Sequence, residues 1–376
     1  MVIVDVNQSF NNYLQQKLEE RKVADLFREL VCANEAVDFC SNDYLGFSQL
    51  PALKNIQQNN LPTGATGSRL ISGNSQLAEE TEKLIADFHN AETALIFNSG
   101  YDANLGFFSC ISSKNDSFIS DEYIHASIID GLRLGKAARL KFRHNNTEDL
   151  EKKLQQATGN KFVVVESIYS MNGDEAPLET IAALCKKYQA LLIVDEAHAT
   201  GVYGEKGEGL VSHYHLEKEV YARIITFGKA LGLHGAAILG SNVLRNYLIN
   251  HARSFIYTTA LPPHSYLQIQ KAYTLLPSAH LKTLMDLVDY FRTTAKNNIS
   301  QYFTESFSPI QGIIVGDNEK AGLLSAHLFC KGFFVKAIRS PTVPPGTERL
   351  RICLHTFNTT QQIDEMLSAV KEFLHV

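Results

Sequence analysis

The strongest constraint on the fold is a succession of short, wholly apolar runs separated by helix-length segments. The runs lie at 94–97, 117–120, 162–166, 191–195, 224–226 and 236–239. A strand that is apolar along its whole length needs cover on both faces. Helical patterning fills most of the gaps; over 178–188, for example, Ile181, Leu184 and Cys185 share one side. Strands alternating with helices predict an α/β fold, with a mainly parallel sheet flanked by helices. Ligands of such sheets gather at the carboxyl ends of the strands. The polar residues just beyond the runs are therefore the first candidates for a site: 99–101, His125, Ser170, 195–198 and 226–229.

The flanks read differently. The first 30 residues predict a polar, amphipathic helix with Leu14, Leu18, Val23, Leu26, Phe27 and Leu30 on its apolar side. Residues 42–73 are rich in Gly, Ser, Asn and Pro and predict loop. A proline-bearing stretch at 257–263 precedes a long helical region reaching about residue 307. Beyond it, strands at 313–315, 333–338 and 350–354 and a helix from Thr360 predict a small α+β unit. The expected division is an N-terminal helical segment (1–45), a large domain (46–270), and a linking helix with a small C-terminal α+β domain (271–376).

Composition narrows the function. The formal net charge of −5 gives no basic excess for nucleic acid. No run of 18 apolar residues is present, so no membrane-spanning helix is expected. The first ten residues lack the basic start and apolar run of a signal peptide. The six cysteines are scattered, with no C-x-x-C pair, which predicts reduced thiols in a cytoplasmic protein and no zinc site.

One motif misleads. Asp195-Glu196-Ala197-His198 spells the acidic box of one class of nucleic-acid helicases. Those proteins also need the phosphate loop G-x-x-x-x-G-K-[ST]. Gly228-Lys229 is followed by Ala230, and Arg223 stands five positions before Gly228, so that loop is missing. A G-x-G-x-x-G dinucleotide fingerprint is missing too; Gly204, Gly207 and Gly209 have the reversed spacing.

The same residues suit a pyridoxal 5′-phosphate (PLP) site. PLP needs an amine for its aldehyde, a carboxylate for its ring nitrogen and donors for its phosphate. Asp195 ends one apolar run, and Lys229 follows the next one 34 residues later (229 − 195). Ser99-Gly100-Tyr101 follows a run and opens a helix, offering free N–H groups to a phosphate. Ser170 and Thr226 add hydroxyls, His198 is placed for the ring hydroxyl, and His125 for the ring face. Singly, each is an ordinary cap, turn or surface residue; their order and spacing carry the reading.

Longer motifs support it. They are Ser41-Asn42-Asp43-Tyr44-Leu45-Gly46, Thr66-Gly67-Ser68-Arg69-Leu70, Ser72-Gly73-Asn74 and Asn98-Ser99-Gly100-Tyr101. They continue with His125-Ala126-Ser127, Ser170-Met171-Asn172-Gly173-Asp174, 195–201 and Thr226-Phe227-Gly228-Lys229-Ala230. In these the chain resembles the α-oxoamine synthases, a family of fold-type I PLP transferases, from about residue 38 to 373. The resemblance implies a mainly parallel seven-stranded sheet, a small C-terminal domain and a homodimer with its sites at the interface. It implies a decarboxylating condensation of an amino acid with an acyl thioester. By the same resemblance Lys229 holds the cofactor and moves the Cα proton, Asp195 meets the ring nitrogen and His198 the ring oxygen. His125 stacks on the ring and helps polarise the thioester, while Gly100, Tyr101, Ser170 and Thr226 surround the cofactor. Thr258 or Thr259 resembles a phosphate contact made across a dimer interface. Arg351 matches the clamp for the amino acid's carboxylate, and Asn42, Arg28, Arg339 and Thr342 match positions near substrate.

Members of this family differ in acyl donor and amino acid. Residues 166–178, 226–239, 257–263 and 337–344 look most like the branch that joins a pimeloyl thioester to L-alanine. The run 128–134 leans toward the branch that joins acetyl-CoA to glycine. Succinyl and long-chain donors are further branches. Asn172 stands where Asp is commoner in the Ser-Met-x-Gly-Asp motif, and 63–65 departs from a Gly-rich pattern.

Overall fold

The computed structural model describes residues 6–32, 35–56, 61–276 and 278–375, and each apolar run is a strand of one sheet. The strands are β1 (Thr93–Phe97), β2 (Ser117–Asp121), β3 (Ala138–Phe142), β4 (Lys161–Glu166), β5 (Ala190–Asp195), β6 (Val220–Thr226) and β7 (Ala236–Gly240). Their order is β1-β7-β6-β5-β4-β2-β3. β7 runs antiparallel to both neighbours, and every other pairing is parallel. The carboxyl ends of the other six strands therefore open on one edge. β3 is not among the apolar runs because it is an edge strand. Only Phe142 of it is buried, and Arg139 and Lys141 are exposed, charges that discourage pairing with another chain.

Alternate residues of each central strand enter different cores, as the two-residue period of a strand requires. Val163, Val165, Leu192 and Val194 pack with Ile85, Ile181 and Cys185 on one face. Phe162, Val164 and Ile193 pack with Phe107, Phe108, Ile128 and Leu248 on the other.

The N-terminal helix is shorter than its apolar pattern predicts. It spans Val6–Val23, and Asp25 turns the chain through a left-handed conformation (φ 53). Phe10, Tyr13, Leu14 and Leu18 on it are exposed, so no described residue covers that side. The long helical region divides into Pro263–Leu275 and Ser278–Ile299. The C-terminal strands are β8 (Ile310–Ile314), β9 (Lys336–Ile338) and β10 (Arg349–Cys353), antiparallel in the order β9-β10-β8. Phe291, Leu324, Leu350, Ile352, Ile363 and Val370 form their core. Val37–Asp38 pairs in parallel with Phe333–Phe334, tying the segment before the motifs at 41–46 to this unit. Among the described residues no helix is long and apolar enough to cross a membrane.

The structure explains the helicase-like box. Glu196 is fully buried, and its Oε2 lies 2.6 Å from Nη2 and 2.7 Å from Nε of Arg223. Its Oε1 accepts from the Val211 N–H, and Arg223 also donates to the carbonyls of His89 and Glu208. Glu196 is thus a structural counter-ion beneath the sheet edge. Removing one member of a buried pair leaves a bare charge, at a cost of roughly 3–5 kcal/mol. Glu196→Ala is expected to destabilise the protein by about that amount, read by urea unfolding against the parent; a loss below about 1 kcal/mol would contradict the assignment.

Candidate active site

Lys229 stands on the tight turn after β6. The turn is closed by bonds from Phe227 N–H to the Gly235 carbonyl and from Gly232 N–H to the Lys229 carbonyl. Gly232 is required here: its φ is +61, and a Cβ would come 2.1 Å from Ser48 N. Removal from water pulls the Lys229 amine down to about 8, against the opposing pull of Asp195 and Glu166. About a tenth of it is then neutral at pH 7, far more than for an ordinary lysine, which makes it a usable nucleophile.

Asp195 ends β5 and is buried. Its Oδ1 accepts from Ala197 N–H at 2.9 Å and its Oδ2 from Asn104 Nδ2 at 2.9 Å. The strand register sets Glu166 beside it. Glu166 is also buried, and its Oε1 has no hydrogen-bond partner among the described residues. Burial and the Asp195 charge push the Glu166 carboxyl up to about 8, so it keeps a proton at neutral pH.

A buried chain of hydrogen bonds runs from Asp195 to His125. Asn104 Nδ2 also donates to Ser127 Oγ at 3.0 Å, and Ser127 Oγ lies 2.7 Å from His125 Nδ1. His125 caps the helix Ala126–Leu134, its Nδ1 accepting from the Ser127 N–H. With Nδ1 an acceptor, the neutral ring carries its proton on Nε2. Burial lowers the His125 pKa, Asp195 opposes that, and Lys229 adds to it. The neutral imidazole is then a hydrogen-bond donor through Nε2.

A second network joins β5 to the C-terminal strands. His198 is buried, and its Nδ1 lies 2.7 Å from the Tyr44 hydroxyl. Burial, with Lys229 and Arg351 nearby, holds its pKa well below the ordinary value, so it is neutral. Tyr44 donates to Asn42 Oδ1, which also accepts from Arg351 Nη2 at 2.9 Å. Arg351 Nε donates to the Ser170 carbonyl. Asn42, Ser170, His198 and Arg351 thus share one connected cluster.

The third part is the helix Gly100–Cys110, capped by Ser99, whose Oγ accepts from Asp102 N–H. Its first N–H groups are free for an anion. Gly100 packs near Thr226, whose Oγ1 lies 3.8 Å from where a Gly100 Cβ would stand. Asn98 Nδ2 donates to Thr258 Oγ1 at 3.0 Å and to the Thr259 carbonyl at 2.7 Å, fastening the 257–263 loop beside this end. A cavity of about 510 Å³, lined by His125, Tyr169, Ser170, Asn172, Thr342 and Arg349 among others, opens next to these residues.

Three sequence candidates stand apart. Arg28 is exposed in the segment after the N-terminal helix. Arg339 Nη1 donates to the Asp25 carbonyl and does not line the cavity. The Tyr101 hydroxyl turns outward to Asp130. Conversely, Tyr44, Asn104, Ser127, Glu166 and Arg349 were not singled out by sequence. For Glu166 a signal existed, since it ends an apolar run just as Asp195 does.

The donor set fits PLP: an amine of depressed pKa, a carboxylate held by two donors, two neutral imidazoles and an open helix N-terminus. Fold and donors together define a PLP enzyme of the fold-type I class. The chain belongs to the aminotransferase class I and II family, whose profile matches residues 34–370, and it is a PLP-dependent enzyme of acyltransferase type. It is 40% identical over 403 residues to an 8-amino-7-oxononanoate synthase of Emericella nidulans, covering 98% of this chain and 97% of that one. A serine palmitoyltransferase from S. paucimobilis, solved with a PLP adduct bound, matches with a TM-score of 0.87 at 28% identity, over 99% of this chain and 100% of that one. An 8-amino-7-oxononanoate synthase from Francisella tularensis matches with a TM-score of 0.77 at 29% identity, over 91% and 98%.

Glu166 carries a testable pH signature. Folded Glu166 keeps its proton to about pH 8, whereas its ordinary value is 4.5. Between those values the folded state binds more protons, so stability falls as pH rises through that window. His144, raised to about 9 by Asp121 and Asp174 against its burial, adds a fall of its own. The difference between parent and variant isolates Glu166. In the cofactor-free protein, Glu166→Gln is expected to recover stability on the order of a few kcal/mol at pH ~8.5 relative to pH ~5. Denaturant titrations at both pH values check it; parallel losses in parent and variant would refute it.

Proposed function

We propose that this protein condenses L-alanine with a pimeloyl thioester, releasing carbon dioxide and the thiol, to form 8-amino-7-oxononanoate in biotin synthesis. The observation that carries the reading is the gathering of Lys229, Asp195, His125, His198 and Arg351 at one sheet edge, in a chain whose full-length curated relatives have that name. Bound there, PLP draws electrons from the bonds at the amino acid's Cα.

The chain's residues divide the remaining work. Lys229 supplies the amine that receives the cofactor's aldehyde and, once free, carries the proton to and from Cα. Asp195, fixed by Asn104 and the Ala197 N–H, holds a proton on the ring nitrogen. Glu166 stays neutral and adds no second negative charge beside Asp195. His198, set by Tyr44, serves the ring hydroxyl. His125 covers the ring face and offers Nε2–H to the thioester carbonyl, with Ser127 fixing its tautomer. Gly100, Tyr101 and Ser99 supply the phosphate end, with Ser170, Thr226 and either Thr258 or Thr259 around it. Arg351, beside Asn42, clamps the amino acid's carboxylate and so fixes which Cα bond breaks. Arg28, Arg339 and Thr342 serve the acyl end, with Arg339 fastened to the segment after the N-terminal helix through the Asp25 carbonyl. The Cα–acyl bond forms as the C–S and Cα–carboxylate bonds break, and a proton returns to Cα.

Coenzyme A release tests the reading. Purified enzyme is expected to prefer L-alanine with pimeloyl-CoA over glycine or L-serine with acetyl- or succinyl-CoA. Lys229→Ala is expected to abolish release and shift the cofactor's visible absorption. Faster release with glycine and acetyl-CoA would replace the substrate assignment.

The reading also takes the chain as a cytoplasmic homodimer of three-part protomers (1–45, 46–270, 271–376) with its sites at the interface. The uncovered apolar side of the N-terminal helix and the exposed Tyr257 beside Thr258 support this. Sedimentation at assay concentrations is expected to give a dimer; an active monomer would contradict it.

A further inference from the structure

Just past the end of β3, His144 sits between two carboxylates brought by the neighbouring strands. Its Nδ1 lies 3.0 Å from Asp121 Oδ1, at the end of β2, and its Nε2 lies 2.5 Å from Asp174 Oδ2, in the turn after β4. With an acceptor at each nitrogen, the ring donates from both and carries a positive charge. Asp121 is fully buried, and its oxygens also accept the N–H groups of Tyr123 and Asn145. Asn145 Nδ2 donates to Asp174 Oδ2 at 2.9 Å and to the Glu175 carbonyl at 3.0 Å. The Tyr123 ring centroid is 4.5 Å from that of His144, and the Tyr169 ring meets it edge-on at 4.4 Å. The other charged groups nearby are Glu122, whose Oε1 accepts the His144 N–H, and Arg143, which faces Asp149. Glu175 accepts from the Tyr214 hydroxyl, Arg349 acts on Asp174, and Glu166 acts on Asp121. Burial opposes the imidazolium charge, but Asp121 and Asp174 outweigh it and hold the His144 pKa up at about 9.

Asp174 closes a tight turn that carries site residues. The Tyr169 N–H donates to the Asp174 carbonyl at 3.0 Å, and the Gly173 N–H to the Tyr169 carbonyl at 2.8 Å. Within this turn the Ser170 carbonyl accepts from Arg351 Nε. On its far side the turn meets the C-terminal unit. Ser306 Oγ donates to the Gly173 carbonyl at 2.9 Å, and Gly173 is left-handed (φ +73), where a Cβ would stand 2.2 Å from the Ile310 carbonyl oxygen. His144 is the charged anchor on the sheet side. A displacement of the turn moves the Ser170 carbonyl and with it the Arg351 guanidinium.

We propose that His144, held as an imidazolium between Asp121 and Asp174, is a positioning residue for the amino acid's carboxylate: it locks the 169–174 turn, and the turn aims Arg351. The inference rests on the reading of Arg351 as the carboxylate clamp, and adds a residue that acts only through that clamp. A neutral imidazole has a single N–H and can donate to only one of the two acids. Loss of its proton therefore frees the turn from the sheet. The lock is present well below pH 9 and is lost as pH rises through about 9.

The test is amino acid binding to the holoenzyme without acyl donor, read from the change in the cofactor's visible absorption. L-Alanine, glycine and L-serine are compared, because all three carry the carboxylate. At pH ~7.5, H144Q is expected to weaken all three about tenfold, the worth of one charge-assisted hydrogen bond. By pH ~10 the deficit is expected to shrink to within about twofold, because the parent has then lost the same proton. D174N keeps the shape of the turn, removes one acid and guards against misfolding of H144Q. The pH at which its affinity converges on that of H144Q is expected to lie about one unit or more below the parent's. In turnover with L-alanine, the H144Q loss is expected in KM, with kcat held within about twofold. Parental affinity in H144Q, a deficit equal at both pH values, or a loss in kcat alone would overturn the proposal. An equal deficit would leave His144 a structural role only. R351Q separates the inference from the reading beneath it. If R351Q weakens binding and H144Q does not, Arg351 stands as the clamp and the role of His144 falls. If R351Q binds all three amino acids like the parent, the clamp reading falls and the route from His144 falls with it.

Discussion

The pairing of β4 with β5 places two carboxyl groups, Glu166 and Asp195, side by side at a dry sheet edge, with the Lys229 amine next to them. Two like charges in such surroundings cannot both be cheaply ionised, so the pair separates: one carboxyl keeps its proton and the other is held by donors. Asn104 and the Ala197 N–H both donate to Asp195. The same dry setting strips the lysine of part of its affinity for a proton. A carboxylate held by donors and an amine stripped of part of its basicity by burial are what PLP chemistry requires. Shifting the β4–β5 register by one residue would send the shifted strand's carboxyl to the opposite face of the sheet and part the pair.

Much of the surrounding polar structure serves to hold this arrangement still. Asn104 spends its two amide hydrogens on Asp195 and Ser127, and Ser127 in turn fixes the His125 tautomer. One helix, Gly100–Cys110, therefore sets its open N-terminus beside Thr226 and sends an interior side chain to Asp195. The cluster of Tyr44, Asn42 and Arg351 makes His198 depend on the C-terminal strands. The site is complete only when the sheet edge and the C-terminal unit come together.

This explains what could be read in the sequence. Residues whose chemistry is declared by their place on a strand were legible: Asp195 at the end of an apolar run, Lys229 on the following turn, Ser99 at a helix start. The six buried strands were legible because burial on both faces makes them apolar throughout, whereas β3 hid behind Arg139 and Lys141. The N-terminal helix was overextended because Leu26 and Leu30 continue a periodicity that Asp25 interrupts. The supporting residues were not legible because their meaning lies in long-range contacts. Asn104 meets Asp195 across 91 positions, and Tyr44 meets His198 across 154. Nothing in the local pattern around Asn104 distinguishes it from an ordinary helical asparagine.

The division between sheet edge and C-terminal unit also separates two kinds of selectivity. The groups that handle the cofactor lie on the sheet and on helices packed against it, where a small displacement would upset every bond at once. The cavity beyond them takes one wall from 122–129, another from 169–172 and a third from 341–349. Those walls contain turns and a loop that substitutions can alter without disturbing Asp195 or Lys229. A change of acyl donor can thus be made in those walls while the reacting centre keeps its form. That is consistent with the likeness of one fold both to 8-amino-7-oxononanoate synthases and to a serine palmitoyltransferase. The electron-withdrawing chemistry belongs to the cofactor end, whereas the walls of the cavity are free to differ with the acyl group they receive.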